Sequence, residues 1–322
     1  MSGLMEQSQA YKPFSYPEFV QHAIDHEAMF WGEWEASLQR DVNQWKDGSI
    51  TSRERDHITQ ILRLFTQSDV VVGGFYVDVF LPVYKNNEVR MSLLSIANRE
   101  STHMRAYALL NDTLGLPESE YAAFLEYEEM ADKASFMEEY DVSTTRGVGL
   151  SLAKTIINEG VALFSAFAQL LNYQRPEAGS KMLGMCEIVE WSVKDETKHV
   201  EIAADLFRRF VEDHPEIVDD EFKKDIYTMF RIAIDLEDKF IDLSFADGGP
   251  KGLSKDDTKK YIRYIADRRL VQLGLKPNWQ VETNPLGWID HIVSGDTQKN
   301  FFEGRVTDYS HLGLSGDSWG WE

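Results

Sequence analysis

The chain has 322 residues, of which 43% are hydrophobic, and a formal net charge of −21. This length is enough to bury a large core, and the acidic balance argues against nucleic acid or an anionic membrane as a partner. Cys186 is the only cysteine, which excludes an intrachain disulfide and a thiolate metal cluster and suits a reducing compartment. No secretion signal or membrane span is evident, so we expect a cytoplasmic protein.

The first two predicted helices each open with a capping-box pattern. Ser15-Tyr-Pro-Glu18 has proline in the first turn and predicts a helix of about seven turns that ends near Asp47 and Gly48. Thr51-Ser-Arg-Glu54 predicts the start of a second helix, which runs towards Pro82 and carries Asp69 near its middle.

Further long helices are predicted along the rest of the chain. They cover about residues 88–112, 144–173, 177–212, 217–245 and 258–275. Because long amphipathic helices with short connections bury their apolar faces against one another, the pattern predicts an all-α bundle. We expect the bundle to occupy residues 1–293 and the Gly-, Ser- and Asp-rich segment 294–322 to form a flexible tail.

Two Glu-x-x-His motifs lie within apolar helical patterns, Glu100-Ser-Thr-His103 and Glu196-Thr-Lys-His199. The spacing places carboxylate and imidazole on one face of a helix, one turn apart. In so acidic a sequence a single match carries little weight. A third copy, Glu54-Arg-Asp-His57, lies in a charged first turn, where we expect Glu54 and His57 to face solvent and to have no metal role.

Two further acids, Asp69 and Glu159, each stand alone in an apolar helical segment. Buried carboxylates are costly unless they are paired or bound to a cation, so a buried salt bridge is the alternative for each of them. Together with the two motifs, they would supply four carboxylates and two imidazoles from four helices. Such a set suits two divalent cations in the core of a bundle.

With Asp69, Glu100-x-x-His103, Glu159 and Asp195-Glu196-x-x-His199 in this order, the sequence resembles the class I ribonucleotide reductase small subunit. The resemblance spans nearly the whole chain and implies a ferritin-like bundle with a dimetal carboxylate site. It also implies that Asp69 and His103 bind one metal, that Glu159 and His199 bind the other, and that Glu100 and Glu196 bridge them. Iron is favoured, while manganese or a mixed manganese–iron pair suits the same ligands.

Tyr107 lies one helical turn beyond His103, on the ligand face of its helix. The resemblance implies that the metal site, after reacting with an oxygen species, oxidises Tyr107 to a stable radical. It further implies a transfer route through Trp31, Asp195 and Tyr309 to a separate large subunit, where ribonucleotides are reduced.

Other features of the resemblance concern partners and radical transfer. It implies a homodimer and a C-terminal tail that docks the large subunit. Trp34 competes with Trp31 for the role in radical transfer.

The sequence departs from this family in two places. The segment after Asp69, Val-Val-Val-Gly-Gly, lacks a glutamine common in relatives, and Ser192 stands where an apolar residue lining the tyrosine pocket is expected. A more polar pocket would alter the hydrogen bonding, potential or lifetime of a radical on Tyr107.

Two other classes of function remain open. A ferritin-like dimetal oxidase, hydroxylase or desaturase would use the same six ligands on a bound apolar substrate, but Tyr107 and the aromatic tail disfavour it. An iron-storage or purely structural bundle would leave the aromatic residues of the tail without a role.

Overall fold

The structure is a computed structural model that describes residues 3–293, apart from the side chains of residues 66–71, 291 and 293. Within that range the regular elements are all helical, as predicted. The helices are α1 Pro17–Ala28, α2 Gln39–Asp47, α3 Ser52–Phe75, α4 Leu81–Val83, α5 Asn87–Leu114, α6 Glu128–Glu138, α7 Thr145–Gly160, α8 Phe164–Leu171, α9 Leu183–Asp213, α10 Asp220–Ser244, α11 Lys255–Gln272 and α12 Asp290–Val293. Helix α6 has no counterpart among the predicted helices.

Four long helices form the centre of the bundle. Helix α3 packs against α5, α5 against α9, and α9 against α7. Helix α1 covers α5 and α9 on one side, while α10 and α11 cover α7 and α8 on the other. The buried apolar side chains of these helices join in one core, which surrounds the segments that carry the predicted ligands.

Three of the four central helices begin at side-chain caps, at Thr51 for α3, Asn86 for α5 and Thr144 for α7. The predicted capping box of α3 is confirmed, because Thr51 Oγ1 accepts a hydrogen bond from the backbone N–H of Glu54, whose carboxylate accepts one from the N–H of Thr51. At the start of α5, Asn86 Oδ1 accepts hydrogen bonds from the N–H groups of Glu88 and Val89. These caps fix where the ligand-bearing helices start.

The predicted seven-turn helix at the N-terminus is wrong. Tyr16 rather than Ser15 is the N-cap and makes no side-chain cap, although Pro17 lies in the first turn as expected. Helix α1 ends at Ala28, and the chain continues through an irregular segment before α2 begins at Gln39. Within that segment Trp31 is buried, so tertiary packing of its indole outweighs the helical pattern of the sequence.

Two central helices contain widened turns. Helix α3 continues through a π-helical turn over Tyr76–Phe80 into α4. The predicted helix over 144–173 is interrupted between α7 and α8, where the N–H of Ala162 donates to the carbonyl of Ile157 five residues earlier. Widened turns of this kind accommodate an extra residue and frequently lie at functional sites.

The most apolar described stretch, Thr145–Gln174, contains α7 and α8. It is long and apolar enough to cross a membrane, but 94% of its most apolar window is buried inside the bundle. Its composition is therefore accounted for by packing in the core.

The prediction that Glu54 and His57 face solvent is wrong for His57. Its ring is buried, with Nδ1 3.1 Å from the hydroxyl of Tyr173 and Nε2 3.0 Å from Oε1 of Gln169. Glu54 is half-buried, and its carboxylate pairs with Lys181 at 2.8 Å. The charged residues next to His57 led to the prediction that it is exposed. The face of α3 that carries His57 packs against α8 and the segment after it.

Candidate metal centre

Three helices bring the described acids and histidines of the predicted site together. Glu100 and His103 project from α5, Glu159 from α7, and Glu196 and His199 from α9. Each of these side chains is at most 2% exposed. Ligand atoms of Glu100, Glu159, Glu196 and His199 all lie within 4.8 Å of one another, which is close enough to hold a metal ion.

The two histidines face the carboxylates through their Nδ1 atoms. Nδ1 of His199 lies 3.1 Å from Glu100 Oε1, 3.2 Å from Glu196 Oε2 and 3.4 Å from Glu159 Oε2. Nδ1 of His103 lies 3.5 Å from Glu100 Oε2 and 3.3 Å from Glu196 Oε1. Glu100 and Glu196 thus each present one oxygen to each imidazole, whereas among these imidazoles Glu159 contacts only His199.

Burial and the neighbouring charges perturb the ionisation of the group. Burial disfavours the charged form of His103, but the carboxylate of Glu100 and a hydrogen bond to Asp195 outweigh it and raise the pKa of His103 well above its ordinary value. Burial and the carboxylate of Glu196 raise the pKa of Glu159 well above its ordinary value. The group therefore requires positive charge, from protons or from bound cations.

The side chains of the site are better suited to bind metal ions than to satisfy one another by hydrogen bonds. Within the described part of the chain, Glu100 Oε1 and His103 Nδ1 are buried and make no hydrogen bond, although each lies close to a possible partner. Buried polar atoms left in this way are uncommon and call for an explanation. Three carboxylates and two imidazole nitrogens converging in a dry core are the donor set that divalent iron or manganese accepts.

The side chain of Asp69 lies outside the described residues. Its backbone belongs to α3, which approaches α5 closely at Gly73, one turn later. A Cβ added at Gly73 would lie 3.1 Å from Cβ of Glu100, so the glycine permits this close packing beside the site.

Asp195 joins one of these histidines to a buried tryptophan. Its Oδ2 accepts a hydrogen bond of 2.7 Å from Nε1 of Trp31 and lies 3.1 Å from Nε2 of His103. The rings of Trp31 and His103 are stacked with centroids 5.9 Å apart. Trp34, the competing residue, is 67% exposed, so Trp31 is the tryptophan placed beside the site.

Tyr107 is buried one turn beyond His103 and stacks on Phe65, with ring centroids 4.7 Å apart. Its hydroxyl lies 3.1 Å from Oγ of Ser192, which in turn donates to the carbonyl of Ile188 at 3.0 Å. Ser192, singled out in the sequence as an unusual polar residue, therefore contacts the phenol directly. Tyr309, the predicted tail residue, lies outside the described residues.

Two further side chains at the site were not found from the sequence. Tyr76 donates a hydrogen bond of 2.6 Å to Oε1 of Glu159, and Nε2 of His26 lies 3.2 Å from Nε2 of His199. Tyr76 follows Asp69 by seven residues, two helical turns, and that spacing could have indicated it. No comparable signal exists for His26, because it comes from α1.

The family model and the related sequences that match this chain indicate the same protein family. The family model described as "Ribonucleotide reductase, small chain" matches residues 8–285. A probable ribonucleoside-diphosphate reductase small subunit of Invertebrate iridescent virus 6 is 37% identical over 346 residues, covering 95% of this chain and 95% of the viral protein.

Solved structures show the same fold. The ribonucleotide reductase R2 subunit of Clostridium botulinum has a TM-score of 0.81 at 21% identity, covering 89% of this chain and 91% of that one. The Rnr4 homodimer of Saccharomyces cerevisiae gives 0.72 at 18% identity, covering 95% and 92%.

Proposed function

Because the chain belongs to the ribonucleotide reductase small-chain family, we propose that its metal centre and Tyr107 generate the radical used by a ribonucleoside-diphosphate reductase. The small subunit of this enzyme does not bind the ribonucleotide. It supplies the radical to a separate large subunit, where ribonucleotides are reduced to deoxyribonucleotides. The observation that carries the proposal is the convergence of buried carboxylates and histidines one helical turn from a buried tyrosine.

The proposed ligands divide between two metal positions. His103 and Asp69 would hold one ion, and His199 and Glu159 the other. Glu100 and Glu196 would bridge them, which agrees with the presentation of one oxygen of each to each imidazole. Iron is the favoured metal, with manganese or a mixed pair accepted by the same donors. When bound and oxidised by an oxygen species, the metal pair would supply the oxidising equivalent for a one-electron oxidation.

The side chains around Tyr107 determine how a radical on its ring would be hydrogen-bonded and shielded. Oxidation removes an electron from the ring and the proton from the phenol oxygen, which afterwards can only accept hydrogen bonds. Ser192 Oγ, 3.1 Å away, can turn its hydroxyl from the Ile188 carbonyl to that oxygen. Burial of the ring and its stacking on Phe65 keep water and solutes from the radical.

Radical transfer to the large subunit would use the contacts around Asp195. The hydrogen bond from Trp31 and the short distance to His103 provide a continuous path from the metal site to the indole. Tyr309 would carry the radical onward within the segment 294–322, which we propose docks the large subunit. We also propose that the protein acts as a homodimer in the cytoplasm. The homodimer described for the structurally similar yeast protein supports that assembly.

The proposal is tested by Tyr107→Phe, with Tyr261→Phe as a matched control. Both tyrosines are buried, but within the described residues the hydroxyl of Tyr261 has no hydrogen-bond partner, and this residue lies in α11. We expect Tyr107→Phe to keep its fold and metal content while losing reductase activity with the large subunit. Tyr261→Phe should retain activity. Full activity of Tyr107→Phe would contradict the role of Tyr107 and favour an oxidant centred on the metals.

A further inference from the structure

Tyr76 lies at the start of the π-helical turn that follows α3 and is 1% exposed. Its hydroxyl donates to Oε1 of Glu159 at 2.6 Å, a length typical of strong hydrogen bonds to a carboxylate. Phe75 and Phe80 pack around its ring at centroid distances of 5.8 and 6.1 Å. The phenol is thus held in place beside Glu159 by its hydrogen bond and by the two phenylalanine rings.

Glu159 has fewer imidazole contacts than the other described carboxylates of the site. Glu100 and Glu196 each lie between both imidazoles, whereas Glu159 Oε2 faces only His199, at 3.4 Å. Besides its contacts with His199 and the carboxyl group of Glu196, the orientation of Glu159 therefore depends on what contacts its other oxygen. That contact is the hydroxyl of Tyr76.

We propose that Tyr76 is a positioning residue for the metal ion held by Glu159 and His199. By occupying Oε1, its hydroxyl would leave Oε2 as the oxygen of Glu159 that is available to the metal. The hydrogen bond also draws electron density from the carboxylate and so tunes its strength as a donor. This inference rests on the proposed function, since it concerns one of the two proposed metal positions.

The local backbone at both ends of this hydrogen bond supports the assignment. Tyr76 begins a turn in which the N–H of Leu81 donates to its carbonyl, five residues earlier. Glu159 lies within the corresponding wide turn in which the N–H of Ala162 donates to the carbonyl of Ile157. Regular helices are thus interrupted on both sides of the contact, as is frequent where side chains are placed for function.

The test compares Tyr76→Phe with Tyr84→Phe by titrating each metal-free protein with Mn²⁺ and fitting two dissociation constants. Tyr84 is a matched control because it is fully buried and belongs to the same aromatic cluster, 5.4 Å from Phe80. Within the described residues its hydroxyl has no hydrogen-bond partner. We expect Tyr76→Phe to weaken one of the two sites by about 10- to 100-fold and to leave the other within about twofold. Tyr84→Phe should leave both unchanged.

Two further readouts separate positioning from a general effect on stability. The visible absorption bands of the Co²⁺-loaded protein should shift in Tyr76→Phe and not in Tyr84→Phe, because only the former removes a hydrogen bond to a proposed ligand, Glu159. Glu159→Ala should weaken the same site, and adding Tyr76→Phe to Glu159→Ala should cause no further loss.

Unchanged Mn²⁺ affinities and Co²⁺ bands in Tyr76→Phe would overturn the inference, as would equal weakening of both sites. These outcomes leave the proposed function intact, because the wild-type protein would still bind two ions. A wild-type protein that binds fewer than two Mn²⁺ ions would instead overturn the proposed function and, with it, this role of Tyr76.

Discussion

Asp195 is the residue on which the proposed transfer route depends. Its buried carboxylate contacts the indole N–H of Trp31 and the imidazole of His103, and Nε of Arg99 lies 3.6 Å away. A buried carboxylate with these partners can orient the imidazole and stabilise its protonated or metal-bound form. The same atom, Oδ2, therefore connects the metal site to the tryptophan.

Trp31→Phe tests this route at a single residue. The variant keeps an aromatic ring but loses the N–H that donates to Asp195, so we expect metal content and the Tyr107 radical to persist while turnover with the large subunit is lost. Trp34→Phe is the control, because Trp34 is largely exposed and should tolerate the change. Normal turnover in Trp31→Phe, or its loss in Trp34→Phe, would show that the route is assigned to the wrong residue.

Several residue-level features could be predicted from the sequence because they depend on local spacing. A carboxylate and an imidazole three residues apart share a helix face wherever the helix packs. Tyr107, four residues after His103, lies on that face for the same reason. The contact of His26 with His199 depends instead on which helices become neighbours. Spacing along one helix contains no information about it.

The ends of helices, too, could be predicted from the sequence only where adjacent residues determine them. The sequence gives the correct start of α3 because a capping box involves only four adjacent residues. It predicts an unbroken N-terminal helix wrongly because the burial of Trp31 against other helices ends the helical pattern at α1. The interruption between α7 and α8 was missed for a similar reason, since an apolar run is compatible with either a continuous or a broken buried helix.

His57 links three elements through a buried polar network. Its ring on α3 contacts Gln169 of α8, whose Oε1 also accepts a hydrogen bond from Ser244 of α10. Burial lowers the pKa of His57 to about 4 from an ordinary value of 6.5, despite the opposing hydrogen bond to Gln169. The folded protein thus keeps this imidazole neutral under conditions where the unfolded chain takes up a proton.

The network predicts a specific pH dependence of stability. Between pH 6.5 and about 4 the unfolded state binds more protons at His57 than the folded state does, so its contribution to the free energy of unfolding falls as the pH falls. In chemical denaturation of the metal-free protein between about pH 7 and about pH 5, wild type should lose about 2 kcal/mol more than His57→Gln. Parallel losses in the two proteins would contradict a neutral buried His57.

At the scale of the whole molecule, the helical bundle supports a buried site while the reaction takes place on another subunit. The family match covers residues 8–285 and leaves the whole segment 294–322 outside it. That segment is rich in Gly, Ser and Asp and contains Trp319 and Trp321 near its end. Aromatic side chains of this kind are typical anchors at protein interfaces, which supports a docking role.

Truncation after Phe302 tests docking separately from radical transfer. We expect the truncated protein to load metal and form the Tyr107 radical normally but to bind the large subunit at least about tenfold more weakly, because the aromatic anchors are removed. Tyr309→Phe should retain binding and stop turnover. Unchanged affinity of the truncated protein, measured by calorimetry, would refute the docking role of the segment.

The most direct test of the central claim is electron paramagnetic resonance of the wild-type protein, loaded anaerobically with Fe²⁺ or Mn²⁺ at two ions per chain and then exposed to oxygen. With at least one of these metals, we expect a tyrosyl signal that narrows when the protein contains ring-deuterated tyrosine and that is missing from Tyr107→Phe. A fully loaded wild-type protein without a tyrosyl signal under either metal, or the same signal in Tyr107→Phe, would contradict it.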